Sequence, residues 1–341
     1  MKKLFLILAA AVVLSSVAFA KPYGEKNRPD SVGDIVFADR TATAWHEGLT
    51  LTDAQKKAAV AVIFYAGTEC SNSGERRILG VGLKNATGSG NTLEWARYTS
   101  DTDTPEGYST NITAIQCTPS ESGSGKAATA TFTGDLDGSD NWQALCAAVS
   151  DEGTGGKYPA WEWVNAYATT ANLTGDYASG WYLPTVAELS MLYRVKATVN
   201  AALETADGTK IADTVYWSSS QYSSDGIIAW NVWFYDGGLD YCSKYNDKMS
   251  VCAVRAFNGE EKTMTVRENL KLRSGEATST QVLAVMSAGA KVRILELGKA
   301  ETIDGIPSNW GKVEVQQGAK DRDGKPIKKG TVGWCFGGYL E

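Results

Sequence analysis

At 341 residues the chain is longer than one hydrophobic core usually serves, so its length alone calls for more than one folding unit. Its 33 basic and 39 acidic side chains leave a net charge of −6, which argues against a nucleic-acid or anionic-membrane partner. The charge is uneven, with 12 basic and 9 acidic residues from 263 onward and the acidic excess all before it, as two units with different surfaces would show.

The first twenty residues, MKKLFLILAAAVVLSSVAFA, set two lysines ahead of an apolar run that closes on Ala18, Phe19 and Ala20. That is the pattern of a cleaved signal peptide, and the run is shorter than the ~20 residues a membrane span needs. The expectation is an exported protein, in the periplasm, on the cell surface or secreted, with no transmembrane segment after cleavage. Residues 21–31 are polar with two prolines and read as a flexible lead-in. In LTLTDAQKKAAVAVIFYAG, Thr52 or Asp53 caps a short helix before the β-branched run around Val60, Val62 and Phe64, a buried strand. Residues 98–126 are rich in Ser, Thr, Gly and Asp and read as a long exposed loop.

Helices follow. Asp140 or Ser139 is placed to cap residues 141–149, and Pro159 suits the first position of a helix through AWEWVNAYA. Thr185 and Glu188 form a T-x-x-E capping box, which satisfies two otherwise unpaired amides at a helix start. Beyond residue 213 the pattern becomes a series of hairpins. In IAWNVWFY, alternation puts Ile228, Trp230, Val232 and Phe234 on one face and Asn231, Trp233 and Tyr235 on the other, with turns before MSVCAVRAF. Composition changes at NGEEK, so 259–262 reads as a linker, and short strands from 263 onward suggest a small all-β barrel.

Candidate chemistry is sparse. Serine needs a neighbouring base to become a nucleophile, and the serines at 218–220 have only one histidine in the chain, His46, with nothing in the spacing to bring it near. Asp135, Asp137 and Asp140 lie within six residues, yet the glycine is misplaced for a calcium loop and no closing glutamate follows, which leaves a turn that caps the next helix. Six cysteines allow 15 disulfide connectivities and include no CxxC pair, so a zinc site is not expected. The reading is therefore no catalytic residues, no metal and no cofactor. The outward aromatic set is different: rings beside Ser, Asn and Asp make binding surfaces, because rigid rings bury area at low entropic cost while amides and hydroxyls adapt their hydrogen bonds.

At this point two resemblances enter. GWYLPTVAELSMLY, YWSSSQYSS, AWNVWFYDGG and VCAVRAF, in that order, resemble the Lcl C-terminal domain family, a C-type-lectin-like group related in fold to formylglycine-generating enzymes and to ligand-binding proteins diversified by retroelements. The resemblance covers 32–258. It implies an α+β domain whose hairpins hold a glycan or protein ligand at Ser220, Gln221, Tyr222, Asn231, Trp233, Tyr235, Asp240, Tyr241, Tyr245 and Asn246. The related enzymes carry a close cysteine pair near the domain's end. Cys242 and Cys252, ten apart here, suit a hairpin disulfide or two unrelated thiols better than oxidase chemistry.

The second resemblance covers 263–341. ENLKLRSGEATSTQVLAVMSAGAKVRILEL, then Trp310 with KVEV and GTVGWCFGGYL, looks like the bacterial SH3-like barrel. It implies attachment to a cell-wall peptide or an envelope protein, with Trp310, Trp334 and Tyr339 as groove aromatics and Trp334 equally suited to the core. The whole reads as an exported, non-enzymatic binding protein. The rival reading is a cell-envelope enzyme, either a cysteine-dependent oxidase of the related fold or a cell-wall hydrolase.

Overall fold

A computed structural model of the chain describes residues 22–88, 90–98, 108–149, 156–257, 263–316 and 318–341. The expected signal peptide, the expected 259–262 linker and the middle of the 98–126 segment lie outside the described residues. Contacts divide the described chain into two units, one within 22–259 and one within 260–341.

The first unit contains strands β1 (Asp34–Phe37), β2 (Ala42–Ala44), β3 (Ala59–Gly67), β4 (Arg77–Ala86), β5 (Cys117–Pro119), β6 (Phe132–Gly134), β7 (Trp181–Tyr182), β8 (Val215–Gln221), β9 (Ile228–Trp233), β10 (Gly238–Ser243) and β11 (Val251–Ala256). Its helices are α1 (Asp53–Ala58), α2 (Asn141–Val149), α3 (Pro159–Asn165), α4 (Tyr167–Thr170), α5 (Val186–Arg194) and α6 (Lys196–Thr205). Six strands form an antiparallel sheet in the order β2-β1-β3-β4-β11-β7; β10-β9-β8 form a second sheet, and β5 pairs with β6.

The central strand β3 has no alternation because both of its faces are covered, which makes a strand read as an unbroken apolar run. Val62 and Phe64 enter one core with Leu189 and Leu192 of α5 and Val199 and Leu203 of α6. Ala61 and Ile63 enter a second, tryptophan-rich core with Leu145 of α2 and Trp161 and Val164 of α3. The helix starts follow their sequence signals. Thr52 caps α1 in a full capping box with Gln55, Thr185 caps α5 with Glu188, and Pro159 opens α3. The start of α2 differs: Asp137, not Asp140 or Ser139, accepts the Ser139 amide and caps a 3₁₀ turn that runs into the helix.

Three expectations are corrected here. The 22–31 segment is tied down, since Lys26 and Ala42 exchange both backbone hydrogen bonds and the Lys26 ammonium pairs with the buried Asp34 at 2.9 Å. Residues 108–126 are not wholly a surface loop, because Ile112, Ile115 and Cys117 are buried in the cores. The strand in MSVCAVRAF does not continue the hairpin series; β11 crosses to the larger sheet and lies between β4 and β7.

The second unit contains β12 (Thr263–Thr265), β13 (Leu270–Arg273), β14 (Val282–Met286), β15 (Lys291–Ile303), β16 (Ile306–Val315) and β17 (Val332–Phe336), in the order β12-β15-β16-β17-β13-β14. Val266 pairs with Leu340, and a small core of Leu272, Met286, Val292, Val313 and Cys335 fills it. Asp304 and Gly305 make the two-residue β15–β16 turn with φ of 52° and 78°; an Asp-Gly pair adopts this left-handed geometry readily. No helix among the described residues is long and apolar enough to cross a membrane.

Candidate functional site

The serine run sits on β8, and its side chains are all inside. Ser218 Oγ donates to the Trp230 carbonyl at 2.7 Å and accepts the Ser220 amide. Ser219 Oγ accepts from the Asn141 side chain at 2.9 Å, which ties β8 to the start of α2. Ser220 Oγ accepts the Val186 amide at the first turn of α5. Gln221 accepts the Ile112 amide at 2.7 Å and donates to the Thr110 carbonyl at 2.9 Å. Each buried polar group is thus paired, which is what burial demands of it. Ser220 and Gln221 therefore hold loops and helix ends rather than face a ligand, a correction to the expected set. His46 is exposed, and its Nδ1 lies 3.0 Å from the Glu47 carbonyl.

A second buried polar group fixes the same region. Arg77 on β4 donates to Glu188 at 2.8 Å and to the Tyr182 hydroxyl at 2.9 Å, and it pairs with Asp137 at 2.6 Å. Tyr182 also donates to Glu188, whose other oxygen accepts the Thr185 amide at 2.8 Å. The capping-box glutamate thus has two duties. It closes the start of α5 and neutralises a buried guanidinium, in which role the sequence pattern gave no sign of it.

The aromatic side chains of the hairpin sheet behave oppositely. Tyr222 and Tyr241 lie 4.5 Å apart between ring centres, and Trp230 and Tyr241 meet in a T-shaped pair at 5.3 Å and 86°. Trp233 and Tyr235 stack at 5.5 Å and 24° at the β9–β10 turn. Tyr235 is 53% exposed and Tyr241 40%. Partial burial, then the charges of Asp236 and Asp240, hold the Tyr235 phenol above its ordinary range. The turn is shaped for this arrangement: Gly237 has a φ of 76°, and a Cβ there would lie 2.5 Å from the Tyr193 ring.

Tyr245 joins Tyr98 and Tyr108 in a third group, with ring centres 5.2 to 5.5 Å apart. Tyr98 and Tyr108 were missed because they lie in or beside a polar segment without periodicity. Asn246 is exposed and Asp240 half-buried. Structure thus brings together Tyr222 with Tyr241 and Trp233 with Tyr235, and leaves Tyr245 in a separate patch.

Asn231 departs from the outward face expected for it. It is fully buried, because that side of β9 is covered by the tryptophan-rich core, and its amide sits beside the Cys242 thiol. Lys244, one residue beyond β10, is also buried, with its ammonium 4.2 Å from the centre of the Trp95 ring. Burial pulls it down to about 7, against the raising effect of Asp225.

Of the two alternatives for Cys242 and Cys252, a hairpin disulfide or two unrelated thiols, the disulfide is not formed. None of the six cysteines, all within the described residues, forms a disulfide. Cys252 on β11 is buried in one core, whereas Cys242 on β10 packs against the other. Burial pushes the Cys117, Cys252 and Cys335 thiols up to about 12, and Cys70 higher still, the opposite of what a thiolate nucleophile needs.

In the second unit Trp310 is 1% exposed, and its Nε1 donates to Glu301 at 2.6 Å. Its ring is core, so it is corrected from the groove set. Trp334 is half-buried with the Lys312 ammonium 5.9 Å from its ring centre, and the Tyr339 hydroxyl donates to Asp304 at 2.6 Å.

Residues 268–341 match the bacterial SH3 domain family, so the second unit is a bacterial SH3 domain. No curated protein matches the chain. Among solved structures, a fimbrial protein from Bacteroides ovatus is similar over 67% of this chain at 13% identity and a TM-score of 0.44; the chain spans 49% of that protein.

Proposed function

We propose that this is an exported, non-enzymatic binding protein of the cell envelope. In this reading residues 32–258 form an Lcl-like, C-type-lectin-like domain that presents Tyr222, Tyr241, Trp233, Tyr235 and Asp240 to a glycan or protein ligand. The SH3 domain attaches it to a cell-wall peptide or an envelope protein, the general use of such domains. The observation that carries the reading is the inversion along one small sheet. Ser218 to Gln221 on β8 are buried and fully engaged, while Tyr235 and Tyr241 are exposed and Tyr222 and Trp233 half-buried on the hairpin beside them. Exposed rings fixed in place are a means of gripping, since they lose little freedom on binding.

The rival reading, a cysteine-dependent oxidase, needs a readily ionised thiol, and burial raises Cys252 and Cys242 in the wrong direction. The test is binding of the full chain to a mixed glycan and peptide array. Trp233→Ala, Tyr235→Ala and Tyr241→Ala are expected to lose signal while retaining the wild-type unfolding midpoint. An unchanged array profile in all three removes this surface from the function.

A further inference from the structure

The proposed reading leaves open what kind of ligand the hairpin grips, and the backbone of β10 speaks to that. It is an edge strand, paired with β9 on one side only. Residues in an antiparallel strand point their N–H and C=O alternately to one neighbour and the other. Lys244 donates to Ile227 of the β9 side, so Asp240 and Cys242 face β9 as well, and Leu239, Tyr241 and Ser243 face away. Leu239 is already taken: it exchanges both backbone bonds with Gly123, at 2.7 and 3.0 Å. Past Gly123 that pairing stops. Among the described residues nothing bonds the outward N–H and C=O groups of Tyr241 and Ser243, although Tyr241 itself is exposed.

We propose that this edge is a strand-addition site, at which an extended, basic polypeptide segment of a binding partner pairs with Tyr241 and Ser243. The inference rests on the binding reading above and narrows its ligand to a protein. Two observations favour this occupant. The edge has already begun such a pairing at Gly123, so an added strand extends an existing ladder rather than starting one. The flanking charge is acidic: Asp240 and Asp247 lie close enough to act on the Cys242 thiol, and Asp225 on Lys244. The nearby ammonium groups are engaged, Lys248 with Glu94 at 3.3 Å and Lys244 buried against Trp95. A second copy of the chain would bring these carboxylates against themselves, whereas a basic strand complements them.

The geometry also sets a pattern for the partner. Side chains of an added strand alternate between faces. On one face they meet the Tyr222–Tyr241 rings, and on the other they pass Asp240. Apolar or aromatic residues are therefore expected to alternate with lysine or arginine.

The test uses the full chain and a nine-residue synthetic peptide of alternating lysine and valine, blocked at both ends. Amide hydrogen exchange by NMR is expected to show Tyr241 and Ser243 unprotected in the protein alone and protected with the peptide. Ser243→Pro removes one outward N–H without touching the β9 ladder, and it is expected to weaken binding on the order of tenfold, while Ser243→Ala does not. A peptide N-methylated at alternate amides is expected to lose affinity against the unaltered protein, which keeps the test valid if the proline variant fails to fold. Peptide at millimolar concentration that leaves both amides unprotected overturns the proposal. Protection that appears without peptide, together with a dimer, overturns it in favour of a second copy. Array signal that is lost in Tyr241→Ala but kept in Ser243→Pro retains the ring surface and removes strand addition.

Discussion

Two neighbouring stretches of one three-stranded sheet carry opposite logic. On β8, Ser218 to Gln221 are polar and wholly inside, each spent on pinning a loop or helix end. On β9, β10 and their turns, Tyr222, Trp233, Tyr235 and Tyr241 are aromatic and reach solvent. Polar residues here are structural, and the exposed rings are the surface to which the proposal assigns binding. Polarity alone would have assigned them the other way round.

The comparison can be broken most forcefully from the inside. Glu188→Ala leaves Arg77 buried with Asp137 as its remaining anion, and it is expected to cost about 3 kcal/mol of stability in urea unfolding. Gln221→Ala orphans the Ile112 amide and the Thr110 carbonyl; about 2 kcal/mol is expected, with ligand binding retained by the folded fraction. A loss of binding without a loss of stability would instead place Gln221 in the site.

The buried Lys244 gives a pH test of the same interior. Its folded value of about 7 lies below the 10.5 of an ordinary lysine, so between these pH values the unfolded chain holds a proton that the folded chain does not. Stability contributed by this residue therefore rises as pH goes from 7 toward 10.5, with a slope of at most about 1.4 kcal/mol per pH unit. Unfolding at pH 7 and pH 9 should show that rise in the wild type, and Lys244→Met should flatten it. An equal rise in the variant assigns it to other groups. The smallest stability effects belong to the outer region: Trp233→Ala and Tyr235→Ala are each expected to cost under about 1 kcal/mol, because the rings are not core.

What could be read from the sequence was local. The Thr185–Glu188 capping box, the helix at Pro159 and the unbroken apolar run of β3 depend on neighbours within a few residues and match the structure, and the SH3-like motifs of the C-terminal part match the bacterial SH3 family. Pairing across long separations was not legible. The segment 251–256 follows the hairpins in sequence but bonds to β4, roughly 170 residues earlier. Alternation correctly placed Trp230, Val232 and Phe234 on a core face, yet it could not show that a second core covers Asn231. Trp310 failed for a similar reason: a tryptophan that reads as a groove ring is satisfied internally by Glu301 nine residues away on the facing strand.

The most direct measurement compares the Tyr235→Ala/Tyr241→Ala double variant with wild type on one glycan and peptide array, with unfolding midpoints taken from the same preparations. The account predicts that the signal disappears while the midpoint stays put. A full wild-type signal from the ring-less protein would contradict it.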